Sequence, residues 1–139
     1  ETLHIRMERH SSNALALAKY LQAHKKVSWV NYPGLKESPF YELCEKYMPL
    51  GAGGMLTFGI KGGKSAAKKF LVSLNLTSLV THLGDVRTSV LHPATTTHKQ
   101  LSAEELKKSK VTEDMIRVSV GIEDINDIID DFEKALKQI

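Results

Sequence analysis

The sequence predicts one mixed β-sheet covered by helices, an α/β or α+β layer architecture. Three observations carry that expectation. Four or five short runs rich in β-branched and apolar residues alternate with four main stretches whose apolar residues recur at helical spacing. Some of those runs are joined through a helical stretch and others through turns, so one sheet would hold both strand directions. The chain has 139 residues, 42% hydrophobic and 25% charged, which suffices for one domain with its own core.

The first helix runs to about Ala23, with Leu3, Met7, His10, Ala14, Leu17, Ala18 and Leu21 on one face. The chain opens on Glu1 inside that pattern, with no capping residue before it. A domain cut from a longer protein explains this, and a start trimmed for expression is the alternative. Val27 to Asn31 reads as a strand, stopped at Tyr32-Pro33-Gly34, whose composition suits a type II turn. Ser38-Pro39 reads as a cap and first-turn proline, opening a helix with Phe40, Leu43, Cys44 and Tyr47 on one side that ends before Pro49. Cys44 is expected as a small core residue. Glycines 51, 53 and 54 lead into a strand, Met55 to Ile60.

After the loop Lys61-Gly62-Gly63 comes a helix carrying Ala66, Ala67, Phe70, Leu71 and Leu74. Gly63-Lys64-Ser65 invites a phosphate-loop reading, but the motif needs a glycine where Phe58 stands, and Gly59 is off by one. Lys61, Lys64, Lys68 and Lys69 are therefore read as a solvated face. Leu76 to Leu83 reads as extended, Gly84-Asp85 as a turn, and Thr88 to Leu91 as a short strand. His92 to His98 is a loop, because Pro93 blocks pairing. Its two histidines do not have zinc spacing, and no metal site is expected. Ser102 to Glu105 is a capping box for a short helix. The last helix carries Ile125, Ile128, Ile129, Phe132, Leu136 and Ile139 inward, with Asp127, Asp130, Asp131 and Glu133 expected outside.

Bulk properties narrow the function classes. A net charge of +3, from 19 basic and 16 acidic residues, gives no reason to expect a nucleic-acid partner. No apolar run has the length of a membrane span and no signal-peptide layout opens the chain, so no membrane partner is expected. The single cysteine excludes an internal disulfide framework and fits a reducing, cytoplasmic setting.

The stretch that points to chemistry is Met115 to Asp124. Met115, Ile116, Val118 and Val120 favour a packed strand, and Arg117 interrupts them. A guanidinium among residues that want burial needs an anion, and its planar fork suits a carboxylate. Gly121 allows a sharp turn, and Glu123 and Asp124 sit where a helix start favours negative charge. No complete catalytic set is visible. His82 and Asp85 form either a local acid–base pair or a strand end followed by a turn cap.

Two segments, HLGDVRTSVLHPATTTH (82–98) and IRVSVGIEDINDIIDDF (116–132), resemble the C-terminal domain of the cystathionine γ-synthase family, the PLP-dependent enzymes of Cys/Met metabolism. The opening ETLHIRMERHSSNALALAKYL resembles the helix by which that family enters this domain. GAGGMLTFGIKGG (51–63) and KQLSAEEL (99–106) resemble its O-acetylhomoserine sulfhydrylase branch. The resemblance implies that residues 1–139 are one C-terminal domain like that of fold-type I PLP enzymes, with 1–23 connecting to an upstream PLP-binding domain. It implies no catalytic, cofactor-binding or metal residues within this stretch. Arg117 would hold the substrate α-carboxylate. His82 stands where the family usually has Ser or Asn as a second contact, Arg87 would tune specificity, and Thr97 would line the pocket. The implied reaction replaces the acetate of an O-acetylhomoserine-type substrate with sulfide, giving homocysteine in a cytoplasmic homo-oligomer. A related cystathionine synthase, cystathionine lyase or methionine γ-lyase is the alternative within the family. Outside it stand a phosphate or nucleotide module built on Gly62 to Ser65 and a structural interaction domain.

Overall fold

A computed structural model of the chain describes residues 1–139, the side chain of Ala103 excepted. The elements are α1 (Leu3–Ala23), β1 (Val27–Asn31), α2 (Tyr41–Tyr47), β2 (Met55–Ile60), α3 (Gly63–Val72), β3 (Ser78–Leu79), β4 (Ser89–Leu91), a 3-10 turn (Pro93–Thr95), α4 (Ala103–Lys108), β5 (Met115–Ser119) and α5 (Ile125–Lys137). The five strands form one sheet in the order β1-β2-β5-β4-β3, antiparallel except for β3 against β4. The predicted mixed sheet is therefore present.

Strand alternation divides the sheet into two unlike faces. Leu56, Phe58 and Ile60 of β2, Val90 of β4, and Ile116 and Val118 of β5 face the core. Against them pack α1 through Ala14, Leu17, Ala18 and Leu21, α3 through Ala67, Phe70 and Leu71, and α5 through Ile128, Phe132, Ala135 and Leu136. At the centre, Phe70 meets Phe132 edge-on at 5.4 Å between ring centroids, and Phe58 meets Phe70 the same way at 5.8 Å. The helices thus cover one side of the sheet, and Arg117 is left on the other.

Several expectations need correction. The apolar face of α1 is buried only from His10 onward, and Leu3 and Met7 are exposed. Helix α2 starts at Tyr41, because Ser38 caps the turn before it instead, accepting from the Phe40 N–H at 3.2 Å. Of its expected apolar side only Cys44 is buried, while Phe40, Leu43 and Tyr47 are exposed. The turn at Tyr32 closes through Leu35 N–H to Tyr32 O at 3.1 Å, but Gly34 is not among the glycines with positive φ that a type II turn demands. Leu76 to Leu83 pairs over only Ser78–Leu79. Asp131 faces inward rather than outward: it is buried and accepts the N–H groups of Asn75 at 2.8 Å and Thr77 at 2.9 Å. The Asp131 carboxylate thereby supplies acceptors for two backbone N–H groups of the link into β3. The capping box at Ser102 and Glu105 is present as expected.

Candidate functional site

Arg117 sits in the middle of β5, opposite Thr57 of β2 on one side and Leu91 of β4 on the other. Its neighbours Ile116 and Val118 are fully buried toward the helices, so alternation sends Arg117 to the second face. There it borders a cavity of about 240 Å³ lined by Asn31, Pro33, Met55 and Thr57. One guanidinium nitrogen, Nη2, donates to the carbonyl oxygens of Thr81 and His82, each at 3.2 Å. The Nε nitrogen is buried without a partner. Among the described residues no carboxylate lies within 4 Å of this guanidinium. Desolvation pushes the Arg117 pKa down, although the group stays charged at any physiological pH. A half-desolvated cation with two long bonds to neutral acceptors is electrostatically incomplete.

The strand end beside Arg117 is held firmly. The ring of His10 on α1 bonds the Val120 carbonyl at 2.6 Å, and Asn13 donates to the carbonyls of Gly121 at 3.1 Å and Glu123 at 2.9 Å. The Glu123 carboxylate accepts from the Thr88 N–H at 2.6 Å and the Thr88 hydroxyl at 2.9 Å. Gly121 is required by close approach rather than by positive φ, since a Cβ there would collide with Glu123, the Val86 carbonyl and the Thr88 amide. Asp124, not Glu123, caps α5, accepting from Asn126 N–H at 2.8 Å. Serine 119 then accepts the Gly84 N–H at 3.0 Å through its hydroxyl, which ties the 81–85 turn to β5.

His82 is beside Arg117, but the contact runs through its carbonyl; its exposed ring points to Asp85, with Nδ1 3.6 Å from Oδ2. Asp85 also accepts the Arg87 N–H at 3.0 Å, the expected turn cap, whereas His82 lies outside any strand. That backbone bond, with the guanidinium of Arg87 at 3.6 Å, holds the Asp85 carboxyl below the usual range. Arg87 is exposed and is engaged with Asp85 rather than with Arg117. Thr97 is exposed as well, its hydroxyl 2.8 Å from His98 Nδ1, and no bond joins it to Arg117. His92 is buried, its ring shared between Thr95 Oγ1 at 2.8 Å and the Glu113 carbonyl at 2.7 Å, so it serves the loop. The structure brings Arg117 and His82 together and leaves Arg87 and Thr97 to their own loops. No group of three or more His, Cys, Asp or Glu is gathered among the described residues. Nor does any described helix have the length and apolarity to cross a membrane.

Sequence reasoning missed Thr81, Asn31, Thr57 and the latch formed by His10 and Asn13. Asn13 carried a usable signal, as an amide beside the apolar stripe of α1. The row Asn31–Thr57–Arg117 carried none, because it depends on the register of β1 against β2 and of β2 against the distant β5.

Residues 1–137 match the family model of the Cys/Met metabolism PLP-dependent enzymes. A homocysteine synthase of Schizosaccharomyces pombe is 52% identical over 99% of this chain, and an O-acetyl-L-homoserine sulfhydrylase of Leptospira meyeri is 49% identical over 100% of it. In both cases the chain spans 32% of the relative's length. A crystal structure described as an O-acetylhomoserine (thiol)-lyase of Campylobacter jejuni, with N'-pyridoxyl-lysine-5'-monophosphate, superposes with a TM-score of 0.93 at 39% identity. It matches 98% of this chain with 32% of its own.

Proposed function

Because the chain belongs to the Cys/Met metabolism PLP-dependent enzyme family, we propose that it is the substrate-closing C-terminal domain of an O-acetylhomoserine sulfhydrylase. In this reading α1 enters from a preceding cofactor-bearing domain, and the parent enzyme replaces the acetate of an O-acetylhomoserine-type substrate with sulfide. It works as a cytoplasmic homo-oligomer. The observation that carries the reading is Arg117, a partly desolvated guanidinium with a buried, unpartnered Nε and, among the described residues, no carboxylate partner. The α-carboxylate of an amino acid supplies the anion it lacks, held by charge-assisted hydrogen bonds.

The cofactor does not fit this site. The cavity offers one cation beside an amide and a hydroxyl, whereas a phosphate dianion takes several converging N–H donors. Pyridoxal phosphate is therefore assigned to the preceding domain, where it supplies the electron sink. The part played here is positioning. Arg117 fixes the carboxylate, and the Thr81 and His82 carbonyls fix Arg117, so the reacting end of the substrate is aimed by a rigid strand. His82 acts through its main chain, which explains how an imidazole can stand where the family usually has Ser or Asn. Arg87 and Thr97 are assigned the finer task of tuning specificity, from loops that do not line the Arg117 cavity.

In the full-length enzyme Arg117→Ala is expected to raise KM for the amino acid by at least ~30-fold, the equivalent of about 2 kcal/mol for a truncated charge pair. Steady-state kinetics with the acetylated amino acid measures it. If kcat and KM are both unchanged, the carboxylate is bound elsewhere and the assignment fails.

A further inference from the structure

Exposed apolar side chains are not spread evenly over this surface. The outward side of α5 carries charge, namely Asp127, Asp130, Lys134 and Lys137, and that of α3 carries Lys64, Lys68 and Lys69 with a single exposed apolar residue, Val72, at its end. Around the start of α1 the pattern inverts. Leu3 and Ile5 are exposed, Leu50 is 94% exposed and Leu83 66%. Leu83 borders a hollow of about 380 Å³ that is also lined by Met7, Met48, Met55 and Val120, and its lining is almost wholly apolar. Met7 and Met48 continue into a second hollow of about 440 Å³ that reaches Leu50. The first hollow has no Asp, Glu, Lys or Arg in its lining, and only Glu8 brings a carboxylate to the second; concave apolar surface of this extent marks a contact site rather than a solvated face.

The hollow is also joined to the Arg117 site. Met55 lines both cavities, and Leu83 and Gly84 follow directly on the two carbonyls that hold Arg117 Nη2. We propose that this hollow seats an apolar segment of the polypeptide preceding this chain, and that the seated segment holds the 81–84 turn against Arg117. The inference rests on the reading of the chain as a C-terminal domain. Two facts choose the occupant. About two thirds of the relatives' length lies outside the match. The exposed first turns of α1, where a preceding segment would join, form one edge of the patch. Methionine side chains suit such a seat, being flexible enough to close around an irregular apolar surface.

Hydrogen exchange on the full-length enzyme and on the 139-residue chain tests this. The amides of residues 50–54 and 83–84 should exchange at least ~10-fold more slowly in the full-length enzyme. Leu50→Asp and Leu83→Asp should each abolish that difference, while leaving the thermal midpoint of the 139-residue chain unchanged, because both side chains are exposed in it. Leu83→Asp should also raise KM for the amino acid several-fold. Equal exchange in the two proteins overturns the proposal. So does concentration-dependent dimerisation of the 139-residue chain that Leu50→Asp abolishes, since the occupant would then be a second copy. Cofactor absorbance in the full-length enzyme separates the two failures: if it is present while the exchange difference is missing, only this inference falls.

Discussion

The two faces of the sheet are made by alternate residues of the same strands, yet they obey different rules. On the helix side, Leu56, Phe58, Ile116 and Val118 are apolar and at most 2% exposed. On the other side the same two strands carry Met55, Thr57, Arg117 and Ser119. Burial accounts for the first set, at roughly 1.5–3 kcal/mol for each large apolar side chain removed from water. It does not account for the second. Arg117 is partly desolvated, its Nε buried without a partner, and it has no counter-anion among the described residues, which packing alone disfavours. Where a residue works against the stability of its own strand, binding is the explanation to look for.

If that division is right, the large stability losses belong to the helix face. Phe132→Ala removes the ring that touches both Phe58 and Phe70, and should destabilise the fold by about 3–5 kcal/mol in urea denaturation. A loss under ~1 kcal/mol would mean the aromatic cluster is not the core. Asp131→Asn comes next, at about 1–3 kcal/mol, because an amide cannot accept from both Asn75 and Thr77 as the carboxylate does. Burial raises the Asp131 carboxyl, but the backbone donors outweigh it and hold it below the ordinary carboxylate value. Its stabilisation is therefore complete above the unfolded value, near ~4, and is lost as pH falls through the lower folded one. The stability gap between wild type and Asp131→Asn should be full at neutral pH and shrink in acid. A gap independent of pH would remove this account.

The helix face was the part legible in sequence. The stripe in α5 and the alternation in β2 and β5 each fix which side is inward from spacing alone, and Ile128, Phe132, Phe58 and Ile116 are all buried as that spacing demands. Asp131 was misread because the same spacing cannot show that a distant loop needs its carboxylate. Leu76 to Leu83 was misread because apolar, β-branched composition does not reveal that only two residues find a partner strand. For the site, Arg117 was legible as a charge out of place. Its neighbours were not, since Thr81 and His82 act through carbonyls that any residue would provide.

The smaller effects sharpen the contrast. Arg117→Met keeps the aliphatic volume and removes the charge, so stability should stay within ~1 kcal/mol of wild type or rise, even as the carboxylate site is lost. A loss above ~2 kcal/mol would make Arg117 a structural ion after all. Thr57→Val tests the same face at a residue with no charge. Valine keeps the β-branch that suits the strand and replaces a hydroxyl, beside the Arg117 cavity, that makes no hydrogen bond among the described residues. The expected change in the urea midpoint corresponds to less than ~0.5 kcal/mol, as for a surface position without a structural partner. A loss beyond ~1 kcal/mol would show that the hydroxyl supports the sheet. The second face would then be held together by its polar groups, and its departure from apolar packing would no longer point to a ligand.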